Sequence, residues 1–104
     1  MLIIAIVAEP QNDRRIIGVV RLILDTDRKN GEFAIMVRDS CQGQGLGSKL
    51  MDHIIEIAKD IKIETIYSQV SRANIKMIGL CNKKGFETKP VDEYTINMHM
   101  TLPP

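Results

Sequence analysis

The chain has 104 residues, 44% of them hydrophobic and 26% charged, which suits one small domain with its own core and leaves no room for two. Fourteen Lys and Arg against thirteen Asp and Glu give a formal net charge of +1, so neither nucleic acid nor an anionic membrane is indicated as the main partner. The cysteines, Cys41 and Cys81, form neither a metal-binding spacing nor a disulfide framework, which fits a reducing, cytoplasmic setting.

Residues 2–8 are a short apolar run followed at once by Glu9-Pro10-Gln11-Asn12-Asp13. The run is too short for a membrane span and lacks the basic start of a signal peptide, so it reads as a buried strand. A polar turn over residues 9–14 leads to a second apolar run, 16–24, and the two are expected to form an antiparallel hairpin. Asp, Lys, Asn and Gly over residues 25–31 mark another turn. Residues 32–38 form the third strand candidate, with a break at 39–43.

From Gly45 the apolar period lengthens from two to about 3.6. Leu46, Leu50, Ile54, Ile57, Ala58 and Ile61 make one stripe, with Lys49, Asp52, His53, Glu56, Lys59 and Asp60 largely outside it. This predicts a helix of about four turns. Residues 64–70 return to strand character. Residues 71–84 read as a second helix, starting near Ser71 or Asn74 and closed by Gly85. Residues 88–92 read as a loop around Pro90. Tyr94, Ile96, Met98, Met100 and Leu102 then alternate with polar residues, as in a strand with one buried face. The fold class is therefore α+β: a mixed, mostly antiparallel sheet with two helices and a helical crossover after the third strand. His53 and His99 read as surface residues without metal-ligand spacing, and no metal is expected.

The chemistry concentrates at Gln42-Gly43-Gln44-Gly45-Leu46-Gly47, where a strand hands over to the longest helix. The first N–H groups of a helix have no intrahelical partner and lie at the positive end of its dipole. Glycines keep side chains out of the way, so residues 43–48 are expected to hold a phosphate-bearing ligand. The spacing is wrong for a nucleoside-triphosphate loop, since Gly47 is followed by Ser48-Lys49 in the wrong arrangement. It is wrong for a dinucleotide fingerprint too, which needs G-x-G-x-x-G.

The same residues resemble the Q/R-x-x-G-x-G/A motif of the GNAT superfamily of N-acetyltransferases. Asn74 and the helix ending at Lys84-Gly85-Phe86 resemble a second element of that family, and the order of elements also agrees. The resemblance implies a GNAT-like fold lacking the family's first strand and first two helices, which fits a fragment, a domain cut from a larger protein, or a naturally short form. It implies acetyl-CoA as co-substrate and transfer of an acetyl group to a primary amine by direct attack. Glu32-Phe33-Ala34-Ile35-Met36-Val37-Arg38-Asp39 is most similar to the domains fused to acyl-CoA synthetase-like modules, which act on protein lysines. A small-amine acetyltransferase and a non-catalytic acyl-CoA sensor are the alternatives.

Carried onto this sequence, the resemblance places the pantetheine arm along the backbone of Ile35, Met36 and Val37. The pyrophosphate would meet the N–H groups of Gly43, Gln44, Gly45, Leu46, Gly47 and Ser48, with Gln42 in contact or holding the loop in shape. Asn74 would touch the coenzyme arm or cap the second helix. A lysine-like amine, with a pKa of about 10.4, must lose a proton before it attacks. Glu32 is the candidate base, about 10 Å along the strand from Ile35 and so acting through water. A third-strand N–H at a local bulge would receive the oxyanion. Where many relatives carry a Tyr that protonates the leaving thiolate, this chain has Cys81, a small core residue in this reading. Tyr67 and Tyr94 are the substitutes and otherwise pack in or beside the sheet. Lys83 and Lys84 either face solvent or attract the coenzyme's ribose phosphate. An open acceptor groove would suit a protein or peptide, and an exposed sheet edge would favour a homodimer.

Overall fold

A computed structural model of the chain describes residues 2–9, 16–43 and 45–104. Strands β1 (Leu2–Ala8), β2 (Gly18–Leu24) and β3 (Asn30–Val37) form an antiparallel meander. A short 3₁₀ turn, Asp39–Cys41, and helix α1 (Leu46–Asp60) carry the chain over to β4 (Thr65–Ser71), which pairs parallel to β3. Helix α2 (Ile75–Lys84) follows, then β5 (Glu87–Pro90) and β6 (Thr95–Thr101). The sheet order is β1-β2-β3-β4-β6-β5, mixed and mostly antiparallel as the apolar patterning predicts.

Three elements differ from the sequence reading. Residues 87–90 form strand β5, although Pro90 suggests a loop. The strand lies at the sheet edge, paired only with β6, where a residue without an N–H is tolerated. Ser71 belongs to β4 and α2 starts at Ile75, because the Asn74 side chain accepts the Met77 N–H at 3.2 Å. β3 begins at Asn30, two residues early, since the Asp25 carboxylate gathers the backbone N–H groups of Lys29 and Asn30 into a tight turn. The turn expected over residues 9–14 lies, apart from Glu9, outside the described residues.

Both helices cover the same face of the sheet. α1 packs on β1, β2 and β3, and Lys84 at the end of α2 pairs with Asp52 on α1 at 2.8 Å. The buried residues of α1 are Leu50, Met51, Ile54, Ile55 and Ala58, so the stripe is turned from the one predicted: Met51 and Ile55 enter the core and Ile61 is exposed. Each fully buried side chain of this size contributes about 1.5–3 kcal/mol from removal of apolar surface. Opposite α1, Val20, Leu22, Leu24 and Phe33 project from β2 and β3, and Ile66, Val70, Ile96 and Met98 continue the layer under α2. Among the described residues no helix covers the other sheet face, which presents Ile3, Val7, Glu32, Met36, Tyr67 and His99.

Candidate functional site

β3 and β4 share a parallel ladder of only three rungs, Asn30 with Thr65, Gly31 with Ile66 and Glu32 with Tyr67. Beyond Glu32 the strands part, and β4 continues paired to β6 alone. The half of β3 that follows is therefore bound on one side only. The bonds from Arg38 N to Ile17 O and from Asp25 N to Asn30 O bracket its ladder with β2. Because antiparallel pairs alternate in bonding, the even-numbered residues of β3 direct their N–H and C=O groups at β2. Met36 thus pairs with Val19, whereas Ile35 and Val37 turn their peptide groups into the gap. The sequence reading assigned all three backbones to the arm. Ile35 and Val37 face the gap, while Met36 does not and is 62% exposed on the far face. The register runs unbroken from Gly31 to Val37, so the bulge expected in β3 is absent.

The gap opens beneath the start of α1. A cleft of about 380 Å³ runs from Ile35 and Val37 past Gln42, Gly43, Gly45, Leu46, Gly47 and Ser48 to Asn74. It collects every predicted binding residue except Met36 and Gln44, and Gln44 lies outside the described residues. Gly43 and Gly45 hold φ of +83° and +79°, in the left-handed region. A Cβ at either would meet no protein atom within 4 Å, so backbone conformation, not crowding, calls for glycine there. Gly45 is the N-cap of α1, and among the described residues no side chain caps that end. The first-turn amides are free to bind an anion at the positive pole of a 15-residue helix.

Gln42 holds the loop in shape. Its side-chain amide donates to Val37 O and to Asp39 Oδ1, both at 3.2 Å. Asn74 both caps α2 and lines the cleft. Cys41, Lys76, Met77 and Leu80 also line it, and the sequence reading passed over all four. Lys76 could have been found, since the second residue of a helix that starts beside a phosphate loop is well placed to meet an anion. The other three carry no chemical signal in the sequence. The lysine pair singled out instead ends α2 elsewhere, with Lys84 engaged by Asp52.

Glu32 does not line this cleft. It stands on the helix-free face at the last shared rung, where the strands separate. Cys81 is fully buried, and burial pushes its thiol up to about 11. It packs in the core, away from the cleft, and can supply no proton there. Tyr94 is 73% exposed in the turn before β6, not packed against the sheet as expected. Tyr67 is half-buried beside Glu32. Burial first, then the charges of Glu32 and Asp25, push its phenol upward and keep it neutral.

Comparison with known proteins gives the family. The profile of the acetyltransferase (GNAT) family matches residues 4–86. An acetyltransferase of Pseudomonas aeruginosa (PA5475) is 34% identical over 86 residues, 83% of this chain and 46% of that protein. The chain thus spans about half the length of this curated relative. Among solved structures, the GNAT domain of PAT from S. lividans superposes with a TM-score of 0.84 at 24% identity, over 96% of this chain and 61% of that one. An acetyltransferase of Salmonella typhimurium, solved with its cofactor acetyl-CoA, gives a TM-score of 0.84 at 21% identity, over 96% and 65%. The match of the profile to residues 4–86, most of the chain, establishes that this protein belongs to the acetyltransferase (GNAT) family.

Proposed function

We propose that the chain is an acetyl-CoA-dependent N-acetyltransferase that acts on a primary amine, with a protein lysine as the preferred acceptor. The observation that carries this reading is the cleft itself: the peptide groups of Ile35 and Val37 and the free amides at the head of α1 lie along one continuous channel. A pantetheine arm has amides that can act as the missing strand neighbour of β3, and its pyrophosphate reaches the glycine loop. Lys76 adds a cation at the same end.

In this mechanism Glu32 takes a proton from the acceptor ammonium through water. The neutral amine attacks the thioester carbonyl, and a β3 peptide N–H turned into the gap stabilises the oxyanion. The tetrahedral species loses its remaining excess proton from nitrogen to solvent and collapses. Since Cys81 is sealed in the core, the thiolate leaves without a dedicated acid and takes a proton from solvent. The similarity of residues 32–39 to lysine-modifying domains supports a protein acceptor. The free thiols of Cys41 and Cys81 suit a cytoplasmic setting.

The buried Cys81 also favours a second reading, an acyl-CoA sensor that binds without transfer. Calorimetry and thermal unfolding with acetyl-CoA test the common ground. A ligand at a hundred times its Kd stabilises the fold by about 2.7 kcal/mol, so a clear rise in Tm is expected. An unchanged Tm at millimolar acetyl-CoA rules out both readings. Binding without acetylation of any peptide or small amine selects the sensor.

A further inference from the structure

The helix-free face carries a second cleft that the coenzyme does not use. It encloses about 500 Å³ and is lined by Thr65, Tyr67, Asn97, His99, Lys89 and Pro90 among others. Its position follows from the register. Glu32 pairs with Tyr67, Tyr67 with His99, and His99 with Glu87, so these four side chains form one row across β3, β4, β6 and β5. The row begins at the rung where β3 and β4 part, which is where an acyl group in the gap would be reached from this face.

The row is electrically lopsided. Glu32 stands at its inner end. Glu87 at the outer end lies 3.4 Å from His99, Oε2 to Nε2, and outside the lining of the cleft, whereas Lys89 lines it. Lys89, two residues along β5 on the same face, enters no ion pair among the described residues. The cleft spans from Tyr67 on β4 to Lys89 on β5, and Glu32 stands one strand beyond its Tyr67 edge, so the carboxylate and the ammonium are three strand spacings apart across the sheet, about 14 Å between backbones. The half-buried Tyr67 lies next to the carboxylate end and lines the cleft, and an aromatic ring there can attract an alkylammonium.

We propose that Tyr67 and Lys89 determine which amine is acetylated: Tyr67 seats a single terminal ammonium beside Glu32, and Lys89 refuses a chain with a second ammonium further out. The site then takes a lysine side chain and rejects a linear polyamine. This rests on the N-acetyltransferase reading and deepens it. The discrimination comes from like-charge repulsion at one end and ring contact at the other, both of which act on the acceptor and not on the coenzyme.

The test compares Nα-acetyl-lysine methylamide with spermidine as acceptors at saturating acetyl-CoA. Wild-type protein is expected to prefer the lysine amide. Tyr67→Leu should raise the KM for that amide about tenfold, Tyr67→Phe by less because the ring remains, and neither should move the KM for acetyl-CoA more than about twofold. Lys89→Glu, an exposed change that leaves the core alone, should shift the lysine-to-spermidine ratio of kcat/KM toward spermidine by about tenfold. A ratio unmoved by Lys89→Glu, or an equal loss for amine and acetyl-CoA in Tyr67→Leu, overturns the proposal. Should no amine be turned over, the lysine amide titrated into the CoA-saturated protein separates the two claims. Movement of the Tyr67 ring resonances supports the subsite while the transfer reading fails, and still resonances overturn the subsite.

Discussion

The rings of Phe33 on β3 and Phe86 just beyond α2 meet at a centroid distance of 5.3 Å and an interplanar angle of 57°. This tilted contact ties the end of α2 to the strand that borders the coenzyme cleft. Gly85, left-handed at φ +96°, makes it possible by turning the chain so that Phe86 N–H bonds back to Cys81 O at 3.0 Å. Phe86→Ala removes both the ring pair and a buried side chain. It is expected to cost about 3–5 kcal/mol, seen as a lower urea midpoint at unchanged slope. A loss under about 1 kcal/mol would show that the contact is dispensable.

Gly45 and Gly47 should respond to alanine in opposite ways. Gly45→Ala forces a Cβ into a left-handed residue and should cost about 1–2 kcal/mol of stability as well as acetyl-CoA affinity. Gly47 is helical, and a Cβ there comes no closer than 3.7 Å to Leu80. Its alanine should stabilise the free protein by up to about 1 kcal/mol through helix propensity, yet weaken the coenzyme by crowding the cleft. Unfolding curves and calorimetry on the pair measure both effects, and stability changes of the same sign in the two variants would contradict the geometry.

Asn74 joins helix capping to the cleft, and two substitutions separate the roles. Asn74→Ala should lose about 1 kcal/mol of stability with the Met77 cap. Asn74→Asp keeps a capping oxygen and so the stability, but sets a negative charge against a phosphate ligand. It should therefore bind acetyl-CoA more weakly than wild type. Equal affinity for wild type and the aspartate variant would place the coenzyme elsewhere.

Glu32→Gln keeps shape and exposure while removing the base. Transfer at neutral pH is expected to fall by about 10²- to 10⁴-fold, the usual range for a general base, with acetyl-CoA affinity unchanged because Glu32 lies outside that cleft. Recovery at high pH, where the amine is already neutral, is the companion signature. Full activity at neutral pH takes Glu32 out of the mechanism.

The Cys81 thiol is raised from its ordinary value of 9.0 to about 11 by burial. The folded state thus holds this proton more tightly than the unfolded state. The resulting stability is complete below about pH 9 and is lost as the pH climbs toward 11. Cys81→Ala should flatten that alkaline decline in urea titrations. In the native protein a thiol reagent should label Cys41, which is half-buried at the cleft, well before Cys81.

Much of the fold was legible because its signals are local. The alternation from Ile96 to Leu102 and the 3.6 period from Leu46 to Ala58 are written in neighbouring residues. The glycine loop was legible for the same reason, since a left-handed residue ahead of a helix leaves its mark in composition. What escaped the reading depends on partners distant in sequence. Pro90 looks like a loop until its place at the sheet edge is known. Met36 looks equivalent to Ile35 and Val37 until the β2 register decides which peptides are already bonded. Tyr94 and Tyr67 look alike, but one is exposed in a turn while the other stands beside Glu32.

The short seam between β3 and β4 has a mechanical consequence. Only three residue pairs stitch one half of the sheet to the other, and past them each half is braced by its own hairpins. A molecule lodged in the fork would act as a keystone, stiffening a joint that the polypeptide itself leaves unfinished. Rigidity at that joint would then come partly from the bound molecule.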